Sequence, residues 1–517
     1  MLSRVQSVVL EGIVARPVLV EVDVSNGLPA FDLVGLPAIA VREARERVRT
    51  AIRNSGFNFP LHRITVNLAP ANVRKEGTSL DIPIALAILA ATEQVSLAKN
   101  EAQFFVGELA LDGTVRPVEG VLAMAYGLSK SHIAHDKELQ FWVPATNIGE
   151  AYSISEIYSQ GITSLRDLVD LLSQPSLRKK NRGMDSQRKS SYYQESDDSN
   201  DIGRIKGQNI AKRALEITAA GGHNLLMTGP PGTGKTMLAR SLPSILPPMT
   251  YEESLEATMI YSITGELGED VDWLYQRPFR TPHHHSTMSA LIGGGRTPRP
   301  GEITLAHHGV LFMDEWPEFP REALESLRQP LEDGEVTISR QGGTYTFPSK
   351  FLLVASMNPC PCGYLSDEDV KPCNCTPYAI ERYKNRVSGP LWDRMDIQVR
   401  VTRPKYESLR AQEEYEESSA QVRARVIKAR ERQLSRITTY QKKRKIFCNA
   451  HLDGELLQKT CTLEKEAEQM LERAYKQFHL SGRALHRLIK VARTIADLRD
   501  SDIISTVDLA EALQYRL

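Results

Sequence analysis

Hydrophobic and polar positions change rhythm three times along the 517 residues. Near the front, "VLVEVDVS" and "HRITVNLAP" alternate apolar and polar side chains, the period-2 signature of half-buried strands. Between them, "AVREARERVRTAIRNSG" repeats apolar residues at helical spacing and stops at Gly56. Farther on, "HNLLMTG", "GVLFMDE" and "FLLVASMN" are short unbroken apolar runs, as expected of parallel strands covered on both faces. "VTISRQGGTYTFPSK" predicts a hairpin turning at Gln341–Gly343 with Arg340 near its tip. The end of the chain reads as helical. "ALHRLIKVARTIADL" places Leu485, Leu488, Ile489, Ala492 and Ile495 on one stripe with Arg487, Lys490 and Arg493 opposite. "STVDLAEAL" opens on Ser505 with Asp508 three residues on, a capping-box start.

These rhythms divide the chain into an α+β unit over 1–172, a linker over 173–201, an α/β core over 202–404 and an all-α unit over 405–517. The linker "QPSLRKKNRGMDSQRKSSYYQESDDSND" is nearly free of aliphatics and cannot bury enough apolar area to offset ordering entropy. Lys plus Arg is 64 and Asp plus Glu is 64, so any basic surface must be local. No uncharged apolar run reaches the ~18 residues of a bilayer span, and Glu11, Arg16 and Glu21 interrupt any secretory leader. A membrane partner is not expected. Six cysteines in so long a chain are no disulfide framework, and the expected location is the reducing cytoplasm.

Candidate chemistry sharpens the core. "GPPGTGKT" runs Gly229, Pro230, Pro231, Gly232, Thr233, Gly234, Lys235, Thr236 and fits G-x-x-x-x-G-K-[ST]. The glycines turn backbone N–H groups toward phosphate oxygens, Lys235 would reach the β- and γ-phosphates of ATP, and Thr236 would hold Mg²⁺. In "GVLFMDE" a buried strand delivers Asp314 for the metal and Glu315 to polarise the attacking water. Asn358, at the end of "FLLVASMN", is placed to orient that water or sense the γ-phosphate.

This constellation resembles the AAA+ ATPases, and the resemblance implies roles for two arginines. Arg394, in "SGPLWDRMD", would be a finger on the neighbouring subunit's γ-phosphate, with Arg386 as its rival and an internal salt bridge to Asp396 as the alternative. Arg483, in "SGRALHRL", would sit over the subunit's own nucleotide.

"GPPGTGKTMLARSLPSILPP", "FRTPHHHSTMSALIGGG", "PGEITLAHHGVLFMDE" and "VSGPLWDRMDI" look like the magnesium-chelatase-like ComM/YifB family of bacterial AAA+ proteins, and the likeness extends forward to "FDLVGLP". It implies a Lon-protease-like α+β front domain, an AAA+ P-loop core and an all-α C-terminal lid. It also implies a homo-hexameric ATP-driven DNA helicase. That motor would promote branch migration and recombination during natural transformation, on branched single- or double-stranded DNA, without regard to sequence and alongside other recombination proteins. "VRKEGTSLDIPIALAIL" stands where Lon proteases have K-D-G-P-S-A-G, placing Ser79 at the nucleophile position. The position of Lon's base lysine is Leu122, which cannot accept a proton, although Lys75 lies four residues before Ser79. The front domain is therefore read as a proteolytically inactive scaffold.

DNA must meet something basic or hydrogen-bonding. "RPFRTPHHHSTMSALIGGGRTPRPG" carries Arg277, Arg280, Arg296 and Arg299 around His283, His284 and His285, with no acid before Glu302. Three readings stand: a pore loop, packing at the ATP site, or a metal site, which consecutive histidines serve poorly. Arg340 on the hairpin is a further DNA candidate. "VRARVIKARERQLSRITTYQKKRK" sets ten Lys/Arg against Glu431 alone; it would touch phosphates or pair internally with "EEYEE". Cys360, Cys362, Cys373 and Cys375 form two C-x-C pairs able to close a structural Zn²⁺ site, to stay as reduced thiols or to act as a redox switch. Cys448 and Cys461 look unrelated. The competing functions are an ATP-dependent protease, a chelatase-type motor for metal insertion into a tetrapyrrole, and a DNA-binding regulator.

Overall fold

In the computed structural model the front unit is built on a mixed seven-stranded sheet. The structure describes all residues except 37–38, 76, 99–101, 132–137, 175–199, 269–272, 296–297, 341–342, 366–370, 404–415, 441–447 and 517. The linker over 173–201, the boundary at 404–405, Arg296 and the Lys442–Lys445 block fall mainly or wholly outside the described residues.

The front strands are β1 (Leu2–Glu11), β2 (Val14–Ser25), β3 (Ala30–Val34), β4 (Arg63–Ala69), β5 (Ala102–Phe105), the short pair β6 (Glu108–Leu109) and β7 (Val115–Arg116), then β8 (Leu139–Pro144) and β9 (Tyr158–Ile162). The large sheet runs β3-β4-β2-β1-β5-β8-β9. Its β1–β2 and β2–β4 pairs are antiparallel and its other pairs parallel. The alternation in "VLVEVDVS" becomes register: Val18, Val20 and Val22 are buried while the residues between them are only partly covered. Leu122 is fully buried among Val121, Met124 and Phe141, so nothing at that position can serve a serine. Lys75 is also fully buried, and its ammonium donates to the Pro70 carbonyl. Burial lowers its pKa, since the charged form loses its hydration there.

Core strands follow: β10 (Leu225–Thr228), β11 (Phe279–Arg280), β12 (Gly293–Gly294), β13 (Arg299–Pro300), β14 (Val310–Met313), β15 (Glu335–Arg340), β16 (Gly343–Pro348), β17 (Leu352–Met357) and β18 (Ile397–Arg400). Five of them form one sheet, β11-β14-β17-β10-β18, parallel throughout. Every residue of β14 and β17 is buried, as the unbroken apolar runs require. β15 and β16 pair antiparallel as the predicted hairpin, with Arg340 opposite Gly343; residues 341–342 of the expected Gln341–Gly343 turn lie outside the described residues. The front unit packs on the core through helix Val121–Ser129 and helix Tyr251–Thr264, where Leu128 shares a cluster with Leu255, Met259 and Trp273.

After Ser418 the described residues are helical, and the final helix starts with the Ser505–Asp508 capping box. The basic run from Val422 lies in helix Ser419–Thr438, whose cations are mostly neutralised inside the chain. Arg425 pairs with Glu216 and Glu417, Lys428 with Asp500, and Arg432 with Asp500 and Asp502. Of the expected partners in "EEYEE", this helix engages only Glu417 among the described residues; the rest of these pairs run to Glu216, Asp500 and Asp502. Helix Gly482–Leu498 corrects one expectation. Arg493 does not face water but is fully buried, donating to the carbonyls of Asp502 (2.6 Å) and Ser501 and pairing with the buried Asp497 at 3.1 Å. An isolated buried charge would be prohibitive, so two carbonyls and a carboxylate surround it. Arg493→Met is expected to cost about 3 kcal/mol, read as a lower midpoint in thermal denaturation.

Candidate nucleotide site

Strand β10 ends at Thr228 and helix Lys235–Ile245 begins seven residues later, so the glycine loop is the only span between them. Gly234 precedes the helix at φ 88°, a left-handed value that other residues adopt at a cost. Gly229 is needed for another reason: a Cβ there would stand 2.1 Å from the Val401 carbonyl oxygen. Lys235 folds back on this loop, its ammonium 2.7 Å from the Gly229 oxygen, 2.8 Å from the Pro230 oxygen and 3.4 Å from Asn358 Oδ1. Desolvation lowers its pKa, against the pull of Asp314 and Glu315. Asp314, just past β14, accepts from Thr236 Oγ1 at 3.0 Å, and Asn358 follows β17 next door. Walker lysine, threonine, aspartate, glutamate and asparagine thus meet at the carboxyl ends of three adjacent parallel strands, where open α/β sheets bind ligands. Thr236 and Asp314 offer the oxygen ligands Mg²⁺ prefers, so the donor set fits that ion.

Sequence reading missed Ser356, whose hydroxyl donates to Asp314. It lies two residues before Asn358 on β17, the central strand of the sheet, and period-2 spacing could have flagged it. The histidines are partly relocated as well. His284 Nδ1 lies 3.4 Å from Glu315 Oε2, and the His284 ring stacks on His283 with centroids 4.3 Å apart. Glu315 itself sits at φ 54°, a strained value for a residue with a side chain, which aims its half-exposed carboxylate. The nitrogens of His283, His284 and His285 lie within 4.8 Å of one another, closer than consecutive spacing led us to expect.

Two arginines lose their predicted freedom. Arg280 ends β11 and is clamped by Glu302 (2.7 and 2.8 Å) and by Glu266 (3.0 Å). The acid that closes the apparently acid-free segment is its main partner. Arg277 is buried, donating to the Pro247 and His308 oxygens (2.7 Å each) and to Glu253 (2.8 Å). Both anchor the loop rather than present charge, because a buried guanidinium needs its donors filled. His283, His285 and Arg340 remain exposed. A Cβ on Gly294 would lie 3.5 Å from Arg340 Nη2, so the hairpin approaches Gly294, farther along the same segment.

Arg394 bonds to Glu332 and to the Pro390 oxygen (2.8 Å), not to Asp396 as the alternative reading had it. Asp396 instead faces His223 and Arg487, 3.8 and 3.4 Å away. Arg386 pairs with Glu318 and is half exposed, whereas Arg394 is nearly covered. Arg483 is exposed in the first turn of helix Gly482–Leu498, adding to the field on Arg487.

The four cysteines converge. Cys360 Sγ lies 3.3 Å from Cys362 and 3.7 Å from Cys373, Cys362 lies 3.6 Å from Cys373, and all four sulfurs fall within 4.8 Å. A tetrahedral zinc with Zn–S of about 2.3 Å sets its sulfurs roughly 3.8 Å apart, so the donor set fits. The loop also braces the nucleotide loop, since a Cβ on Gly363 would be 2.9 Å from Pro231 Cδ.

Comparison with known proteins adds to this geometry. Three family models match in succession: subunit ChlI of Mg-chelatase over 20–147, magnesium chelatase subunit ChlI over 201–409, and its C-terminal part over 416–516. The chain is 43% identical to the uncharacterized protein YifB of Escherichia coli, covering 100% of this chain and 97% of that protein. It is 43% identical to competence protein ComM of Haemophilus influenzae over 98% of this chain and 95% of the relative. A magnesium-chelatase 67 kDa subunit of Chlorobaculum parvum shares 27% over 159 residues, 30% of this chain.

Proposed function

Because the chain belongs to the ComM/YifB family of magnesium-chelatase-like proteins, we propose that it is an ATP-driven DNA motor. The motor works as a homo-hexamer and drives branch migration while transforming DNA is integrated by homologous recombination. The observation that carries the reading is the convergence of Lys235, Thr236, Asp314, Glu315 and Asn358 at one edge of a parallel sheet. The name of the Haemophilus relative supports the link to competence, and the exposed His283, His285 and Arg340 offer donors to phosphates.

In this reading ATP is the substrate, cradled by the backbone of Gly229–Thr236 with the helix N-terminus behind it. Mg²⁺ would be held by Thr236 and Asp314 and would neutralise charge on the β- and γ-phosphates. Lys235 leaves the loop carbonyls for the phosphates. Glu315 accepts hydrogen bonds from the attacking water and draws off its proton, with His284 steadying the carboxylate. Asn358 orients the water from the neighbouring strand. Replacing His284 by Ala is then expected to lower kcat for ATP on the order of 10²-fold while the KM stays within about twofold, measured by phosphate release.

The test of the function is a labelled four-way junction incubated with ATP, with Lys235→Ala alongside. DNA-stimulated hydrolysis and strand exchange by the wild type are expected; their absence overturns the motor reading. A protease reading has less support, since Ser79 has only the buried Leu122 where a base would be needed.

We further propose that Cys360, Cys362, Cys373 and Cys375 hold a structural zinc that stiffens the Asn358 loop. Zinc content by elemental analysis is expected near one per chain and close to zero in Cys360→Ser/Cys373→Ser, whose loop should then be cut faster by protease.

A further inference from the structure

At the end of the parallel sheet away from the nucleotide loop lies a cavity of about 200 Å³, between the core and the C-terminal helices. Gly309, just before β14, and Leu352, the first residue of β17, mark that end. Strands of four to six residues at about 3.3 Å each separate it from the nucleotide edge by roughly 13–20 Å. Pro247, Phe351 and Leu352 from the core and Leu434 from helix Ser419–Thr438 give it apolar walls. At its polar end stand Cys448, which precedes a single helical turn (Asn449–His451), and His451, which ends it, with the sulfur 3.2 Å from Nδ1. Gly222 lets the sulfur approach. At φ 69° it closes helix Asn209–Gly221, and a Cβ there would stand 2.6 Å from Cys448 Sγ and 3.5 Å from Arg430 Nη2.

A thiol in a dry site ordinarily keeps its proton, because burial penalises the anion. Here burial does push the Cys448 thiol up, but the charges of His451 and Arg430 and the bond to His451 outweigh it and bring it down to about 5. His451 moves the other way, its proton held by the sulfur. The partners agree on a thiolate–imidazolium pair. Cys461, buried beside Thr460, is pushed up by burial.

We propose that the Cys448–His451 pair is nucleophilic and that the cavity is a covalent modification site for small apolar Michael acceptors, the class of enones, quinones and maleimides. The apolar walls suit a carbon skeleton, and a thiolate is a soft nucleophile. The Cys448 sulfur bonds to the β-carbon of the acceptor as its C=C π pair shifts toward the carbonyl. The resulting enolate takes the proton from His451, which ends neutral. No leaving group and no outside oxidant or reductant is needed. The adduct sits where core and C-terminal helices meet, so it alters the relation between the nucleotide core and the helix bearing Arg483.

The experiment treats the full-length protein with limiting N-ethylmaleimide at neutral pH and follows each cysteine by peptide mass spectrometry. Cys461 is the internal reference for a buried thiol. Cys448 is expected to react at least about tenfold faster than Cys461, and to slow by about tenfold in His451→Asn. Alkylated wild type should lose ATP hydrolysis relative to alkylated Cys448→Ala, a comparison in which the four-cysteine loop is the same on both sides. Should His451→Asn fail to fold, His451→Gln replaces it, and the comparison of Cys448 with Cys461 in the wild type decides in any case. Cys448 reacting no faster than Cys461, or at the wild-type rate without His451, overturns the proposal.

Discussion

Glu315→Gln will bind ATP as tightly as the wild type and hydrolyse it about 10²–10⁴-fold more slowly, the usual contribution of a general base. The amide keeps the shape of the carboxylate and, with it, the approach of His284 at 3.4 Å. What it loses is the ability to draw a proton from water. Lys235→Ala should fail differently. Its ammonium now spends its donors on the Gly229 and Pro230 carbonyls and on Asn358, and nothing else in the loop can carry that charge to the phosphates. A fluorescent ATP analogue separates the two: Glu315→Gln retains it and Lys235→Ala does not. A Glu315→Gln protein that hydrolyses at the wild-type rate would remove this carboxylate from the chemistry, and with it the role given to His284.

Arg394→Ala should lower hydrolysis by about 10³–10⁵-fold in the assembled protein, equivalent to roughly 4–7 kcal/mol of barrier. Within one subunit the guanidinium is spent on Glu332 and the Pro390 carbonyl. A finger acts on the neighbour, so Glu332, which is exposed, must give the guanidinium up when the next subunit docks. That predicts complementation. Mixing Arg394→Ala subunits with Glu315→Gln subunits should restore activity neither has alone, because mixed interfaces pair an intact Arg394 with an intact Glu315. Arg386→Ala, tested the same way, decides between the two. Arg386 is the more exposed side chain and its present partner, Glu318, is also exposed, so complementation by Arg386→Ala alone would transfer the finger to it. A monomer that hydrolyses ATP at full rate without either arginine would defeat the ring mechanism.

The sequence by itself determined the parts whose geometry is written in contiguous residues. "GPPGTGKT" builds its loop from its own glycines between a strand and a helix, and Asp314 and Asn358 are placed by the strands that immediately precede them. Burial on both faces made β14 and β17 legible as apolar runs, and Ser505 with Asp508 announced the last helix. The tertiary structure alone decided which charges are free. Arg280 looked like an open cation until the packing of helix Glu302–Leu305 brought Glu302 to it. Arg493 looked like a solvent-facing residue until the turn after its helix folded its carbonyls around it. His284 reaches Glu315, and Cys448 the cavity wall, across gaps that no local pattern spans. Backbone conformation follows from neighbours in the chain, whereas the partner of a charged or nucleophilic side chain is set by how separate elements pack, and desolvation then leaves it no choice but to pair.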